Sequence, residues 1–212
     1  MYDIYIFDLD GTLLDTIEDL WVAVNYALEQ SDLPKRTVEE VTRFVGNGVP
    51  MLIRRAIGDN VADFEKVLAD FRAYYRSHNA VHTKPYDGIM ELLRELKNRG
   101  KKTAIVSNKM DELTKALSKT YFDGLIDVAL GENEQAGFRR KPARDSVDLA
   151  LKKLNAQNAS AVYVGDMEVD IQTGLNSGLA CISVTWGFRS EEFLRENGGT
   201  IFAKKPEEIL NF

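Results

Sequence analysis

Residues 4–12 read IYIFDLDGT, and this stretch decides the fold. Four apolar residues in a row, β-branched and aromatic, have the length and composition of a strand buried on both faces, the kind found in parallel sheets. The run stops at Asp8-Leu9-Asp10-Gly11-Thr12, which sets two carboxylates at the strand's exit. Asp and Gly are also ordinary turn residues, so a polar strand end is the plain alternative. Two like charges that close are tolerated when a cation lies between them or when one carries a proton for chemistry.

Outward from that strand, short runs rich in Val, Ile and Ala recur: KTAIVS (102–107), LIDVAL (125–130), AVYVG (161–165) and LACISV (179–184). Helical patterns such as GIMELLRELKNRG, DSVDLALKKL and EVDIQTGLNSG separate them. Apolar strands alternating with amphipathic helices indicate βαβ units and a mostly parallel sheet covered on both faces. The alternation breaks from about Asp15 to Thr83. Ile17, Leu20, Trp21, Val24 and Leu28 repeat at helical spacing, as do Val61, Phe64, Val67, Leu68, Phe71, Tyr74 and Tyr75. TVEEVTRF and VPMLIRRAIG supply shorter helical pieces between them, and PYDG (85–88) turns the chain back. The expected class is α/β, a Rossmann-like parallel-sheet core formed by residues 1–14 and 84–212, with an inserted all-helical cap at 15–83.

Composition narrows the function. The 212 residues carry a net charge of −6, which argues against a general nucleic-acid binder. No window approaches the run of about 20 apolar residues that a membrane span needs. No basic flank with an apolar stretch opens the chain, so a cytoplasmic protein is expected. The single cysteine, Cys181, sits in an apolar run and reads as a packed thiol. Two histidines, His78 and His82, are too few for a zinc site and read as surface or hinge residues.

In parallel sheets ligands bind beyond the carboxyl ends of the strands. At those ends this chain places Asp8 and Asp10, then Ser107-Asn108-Lys109, then Lys141 after Arg139-Arg140, then Asp166 with Asp170 in GDMEVD. Singly, Ser107 is a turn residue, Lys141 a member of a basic run and Asp166 a helix cap. Together they form an oxygen-rich set with a cation, able to hold a hard divalent metal beside a phosphoryl group.

DLDGT, VSN, an isolated Lys before a helix and GDMEVD resemble the four motifs of the haloacid dehalogenase-like phosphatase superfamily, and the resemblance spans the chain. It implies that Asp8 is a nucleophile forming an aspartyl-phosphate and that Asp10 is the acid/base. It further implies that Mg²⁺ is held by Asp8, the Asp10 carbonyl and Asp166. Gly11, Thr12, Ser107 and Asn108 would cradle phosphate, Lys141 would balance its charge, and Asp170 would orient Lys141 or a metal-bound water from behind. A dehalogenase has no alkoxide to protonate, so Asp10 favours a phosphate ester. Within the superfamily, the cap loop around Gly46-Asn47-Gly48, with Arg43 upstream, and VTWGF at 184–188 are similar to phosphoglycolate phosphatases. KPARDSVDL departs from them by lacking a second Pro soon after Lys141-Pro142. The expected substrate is a small phosphorylated metabolite, phosphoglycolate foremost. The alternatives are a pyrophosphatase or a β-phosphoglucomutase-type mutase of the same superfamily. A response-regulator receiver would also phosphorylate an Asp, but it has no reason to carry a cap or a second acid at Asp10.

Overall fold

The computed structural model describes residues 1–60, 63–156 and 159–212. They divide into two compact units, Met1–Leu14 with Pro85–Phe212, and Asp15–Lys84. The chain leaves the first unit through β2 (Leu14–Asp15) and returns through β3 (Lys84–Pro85), two short strands paired with each other.

The first unit is an α/β fold of Rossmann type. Its parallel sheet uses β1 (Ile4–Phe7), β4 (Lys102–Met110), β5 (Val128–Glu132), β6 (Ala161–Gly165), β7 (Ala180–Val184) and β8 (Ile201–Ala203), in the order β5-β4-β1-β6-β7-β8. β1 is thus central, and all four of its residues are fully buried. Burying Ile4, Ile6 and Phe7 stabilises the sheet by roughly 1.5–3 kcal/mol each. Strand alternation divides the core. Tyr5 and Phe7 join a cluster with Leu92, Leu93 and Leu96 on one face, while Ile4 and Ile6 join Val147, Ala150 and Tyr163 on the other. The helices covering those faces are α5 (Ile89–Asn98), α6 (Asp111–Phe122), α7 (Asp145–Lys153), α8 (Glu168–Ser177) and the short α9 (Glu191–Glu196).

Register brings the strand ends level. Phe7 is opposite both Ile105 of β4 and Val164 of β6, so the residues that follow these three emerge together. The order of connections reverses at β1, from β5 and β4 on one side to β6 and β7 on the other. That reversal is where open parallel sheets leave a crevice.

The second unit holds α1 (Ile17–Glu29), α2 (Val38–Phe44), α3 (Val49–Ile57) and α4 (Phe64–His78). Leu20, Val24 and Leu28 of α1 and Val67, Leu68, Phe71 and Tyr75 of α4 are buried; Val61 lies outside the described residues. Thr37 and Glu40 close a capping box on α2, and the Asp63 side chain caps α4. Buried Asp19 accepts hydrogen bonds from the backbone N–H groups of Val81, His82 and Thr83 and from the Thr83 hydroxyl, fixing the segment that leads into β3. His78 and His82 are exposed.

Two strand expectations change, and one strand of the parallel sheet was not anticipated. LIDVAL begins too early, because Leu125 and Ile126 close the turn after α6 through the Phe122 carbonyl, and β5 runs 128–132 instead. KTAIVS continues to Met110, with a break in its pairing to β5 between Val106 and Met110. β8 is new; three residues leave too little pattern to read. Cys181 is of intermediate exposure rather than enclosed, although burial pushes its thiol pKa up.

Candidate active site

Every strand-end residue named above from the sheet belongs to the first unit, and several converge. Asp8 follows β1 directly; its N–H donates to the Val164 carbonyl of β6 at 2.9 Å. Its Oδ1 accepts from the Leu9 N–H at 2.7 Å and lies 3.0 Å from the Lys141 ammonium. Lys141 Nζ also donates to Asp170 Oδ1 at 2.7 Å and to the Tyr163 hydroxyl at 3.1 Å, which in turn donates to the Val106 carbonyl at 2.8 Å. The backbone of Lys141 is pinned by the Asn108 side chain. The Lys141 N–H donates to Asn108 Oδ1 at 2.8 Å, and Asn108 Nδ2 donates to the Lys141 carbonyl at 3.1 Å. Asn108 therefore joins two motifs, a task its sequence position did not suggest.

Asp166, after β6, is held at both oxygens. Thr12 Oγ1 donates to Oδ1 and the Phe188 N–H to Oδ2, each at 2.8 Å. Thr12, expected beside phosphate, here orients Asp166. Gly11 adopts φ +85, a conformation that suits glycine, and a side chain there would collide with Asp166. The segment after β7 closes over the same place. Trp186 Nε1 donates to the Thr12 carbonyl at 3.0 Å, and Gly187 packs against Gly11 and Asp166.

Asp10 has a lysine of its own. Its Oδ1 accepts from Lys109 Nζ at 2.9 Å. Ser107, Asn108 and Lys109 are all buried in the irregular end of β4, and the Ser107 hydroxyl accepts from the Lys109 N–H at 3.3 Å. Tyr163 is the site residue that sequence reasoning missed; Lys109 and the VTWGF segment were singled out there without their contacts to Asp10 and to Thr12 and Asp166. Lys109 stood in view beside Asn108, but its partner lies almost a hundred residues earlier.

Arg43, Gly46, Asn47 and Gly48 belong to the second unit. Arg43 is exposed in the last turn of α2, and Gly46 and Gly48, at φ +119 and +83, shape the link to α3.

Asp8, Asp166 and Asp170 are buried and offer oxygens within 4.8 Å of one another. Burial, then the charges of Asp170 and Asp10, outweigh Lys141 and push Asp8 up to about 7 from an ordinary 3.8. Burial, then Asp170 and Asp8, push Asp166 well up. Burial would drag Lys141 down, but Asp170 and Asp8 prevail and hold its ammonium well above the usual range. With Asp10 and Lys109 added, four carboxylates face two ammoniums. A divalent cation would offset the excess, and an all-oxygen donor set suits a hard one. The residues present fit such a cation.

A parallel sheet with this carboxylate and ammonium set at its switch point is the arrangement of a hydrolase working on an anionic substrate. The family model for haloacid dehalogenase-like hydrolases matches residues 5–184, and the chain belongs to that family. Its relatives are phosphatases. It is 33% identical to the phosphoglycolate phosphatase of Aquifex aeolicus over 87% of this chain and 85% of that one. It is 31% identical to the pyrophosphatase PpaX of Listeria innocua over 97% and 93%. A crystal structure from Lactobacillus delbrueckii subsp. bulgaricus, provisionally named a phosphoglycolate phosphatase, superposes with a TM-score of 0.92 at 38% identity, covering 98% of this chain and 96% of that one. No described helix is long and apolar enough to cross a membrane.

Proposed function

We propose that this enzyme is a Mg²⁺-dependent phosphatase that hydrolyses a small phosphorylated acid, phosphoglycolate foremost, through an aspartyl-phosphate on Asp8. The observation that carries the reading is the Asp8–Lys141–Asp170 chain, a buried carboxylate aligned by an ammonium whose other contacts fix it in place. Asp8, the Asp10 carbonyl and Asp166 would hold the metal. When bound, Mg²⁺ supplies the positive charge that lets an anionic carboxylate and a phosphate dianion approach.

With Oδ1 of Asp8 held by Lys141 and the Leu9 N–H, the other oxygen attacks phosphorus as the bond to the leaving oxygen breaks. Asp10 gives that oxygen a proton. Asp10 then takes a proton from water as the water attacks the acyl-phosphate. The P–O bond to Asp8 breaks, phosphate departs and the carboxylate returns. Ser107 and the backbone N–H of Asn108 bind phosphoryl oxygens, while Gly11 and Thr12, whose N–H groups are given to the Leu14 and Leu9 carbonyls, shape the turn beside them. Lys141 offsets charge on the phosphoryl group in transfer, and Asp170 orients Lys141. The unit Asp15–Lys84 acts as the cap, with Arg43 and the loop Gly46–Gly48 reading the substrate's second anionic group.

Pyrophosphate is the second reading, favoured by the similarity to PpaX along nearly the whole of both chains. The test is phosphate release from phosphoglycolate, pyrophosphate, hexose phosphates, nucleotides and p-nitrophenyl phosphate, with Mg²⁺ or with chelator, for wild type and Asp8→Asn. Fastest release from phosphoglycolate, abolished by chelator and by Asp8→Asn, is expected. Release that survives in Asp8→Asn would overturn the reading.

A further inference from the structure

Lys109 is a lysine almost without solvent. Its side chain is 2% exposed, while that of its partner Asp10 is 14% exposed. Burying an ammonium is costly unless it is paired, and a buried ion pair is weak evidence of a stabilising role. The backbone reaches this arrangement by departing from regular pairing. The register of β4 on β5 shifts between Val106 and Met110, and irregularities of this kind re-aim side chains beside active sites. The Lys109 N–H is anchored on the Ser107 hydroxyl, and its carbonyl accepts from the Thr114 hydroxyl of α6 at 3.3 Å. The ammonium is thus delivered from a fixed strand end to one oxygen of a more accessible carboxylate.

We propose that Lys109 is a positioning residue: its ammonium holds Oδ1 of Asp10 so that Oδ2 is aimed at the oxygen leaving phosphorus. This rests on the reading of Asp10 as proton carrier. In the step concerned, the proton on Asp10 passes to the departing oxygen as its bond to phosphorus breaks and the bond from Asp8 forms. Lys109 itself neither gains nor loses a proton. Its value depends on how much the leaving oxygen needs that proton. An alkoxide needs it greatly, whereas a p-nitrophenolate departs without it.

The test measures kcat/KM, which covers the chain of events up to leaving-group departure, for phosphoglycolate and p-nitrophenyl phosphate. The proteins are wild type, Lys109→Met, Lys109→Gln, Asp10→Asn and the double variant Lys109→Met/Asp10→Asn, each with Mg²⁺. The expected loss in Lys109→Met on the alkyl ester exceeds that on the aryl ester by about tenfold or more. Lys109→Gln keeps an N–H donor, so it recovers part of the difference; it also carries the test if Lys109→Met does not fold. In the Asp10→Asn background, Lys109→Met adds less than about threefold, because a residue acting through Asp10 has nothing left to act on. Equal losses on the two esters would overturn the proposal, as would losses that multiply in the double variant, since they would place Lys109 on the substrate directly. Failure of the underlying reading has its own signature: Asp10→Asn would keep the wild-type kcat/KM on the alkyl ester, and both claims would fall.

Discussion

Replacing Gly187 by alanine probes the clamp over Asp166 with one methyl group. A Cβ at this position would lie 2.5 Å from Asp166 Oδ2, and closer still to the Gly11 carbonyl oxygen and Asp166 Cβ. That is roughly 1 Å short of the distance at which such atoms rest. All three obstacles belong to the Gly11 backbone or to the Asp166 side chain, which is tied at both oxygens, so the Trp186–Phe188 segment has to retreat. A retreat of about 1 Å stretches the 2.8 Å bond from Phe188 N–H to Asp166 past hydrogen-bond range. It also strains the 3.0 Å bond from Trp186 to the Thr12 carbonyl. A charge-assisted bond and a neutral one together are worth about 3 kcal/mol. For a chain of this size that lowers Tm by roughly 6–12 °C. Asp166 then keeps only Thr12, and loosening a partner of this kind raises the Mg²⁺ requirement about 10- to 100-fold. Thermal melts and a Mg²⁺ titration of phosphate release measure both effects. An unchanged Tm with an unchanged Mg²⁺ requirement would refute the claim that this segment positions Asp166.

Other outcomes follow from the same contacts. Tyr163→Phe removes one of three acceptors around Lys141 Nζ and one donor to the Val106 carbonyl. It should cost about 1–2 kcal/mol in chemical denaturation and lower kcat less than about tenfold. A loss equal to that of Lys141→Met would make the hydroxyl itself indispensable. The raised pKa of Asp8 predicts a pH-dependent penalty in metal-free protein. Its folded value of about 7 exceeds the ordinary 3.8, so the folded state binds the proton more tightly and loses stability as pH climbs through that interval. Metal-free Asp8→Asn should therefore melt above wild type by a margin that grows from about pH 4 to about pH 7 and then levels off. A margin independent of pH would contradict the cause assigned. Asp19→Ala strands three backbone donors and a hydroxyl in the helical unit. A loss of about 3 kcal/mol is expected from melts, and no loss would show that solvent replaces the carboxylate.

The residues that could be read from sequence are those whose meaning is local. IYIF followed by DLDGT announces a buried strand with carboxylates at its end, and the structure leaves all four apolar residues without solvent. The helical face of Ile17, Leu20, Trp21, Val24 and Leu28 is equally local; Leu20, Val24 and Leu28 are buried, and Ile17 and Trp21 are partly so. What escaped depends on partners far along the chain. Tyr163 reads as one more apolar residue of AVYVG until Lys141 arrives at its hydroxyl. Thr12 reads as a phosphate ligand until Asp166, 154 residues on, takes its hydrogen bond. Lys109 reads as a charge at a strand end until Asp10 is found against it, 99 residues away. β8 escaped for a different reason: three residues do not establish a period.

The central claim is covalent chemistry at Asp8, and the most direct measurement is an acid quench during turnover. Wild-type enzyme with Mg²⁺ would be given the radiolabelled phosphate ester that it hydrolyses fastest, stopped in acid and mapped by peptide. The account predicts a hydroxylamine-sensitive label on the peptide that carries Asp8, absent without Mg²⁺ and absent in Asp8→Asn. Turnover that continues in Asp8→Asn, with no label on that peptide in the wild type, would contradict it.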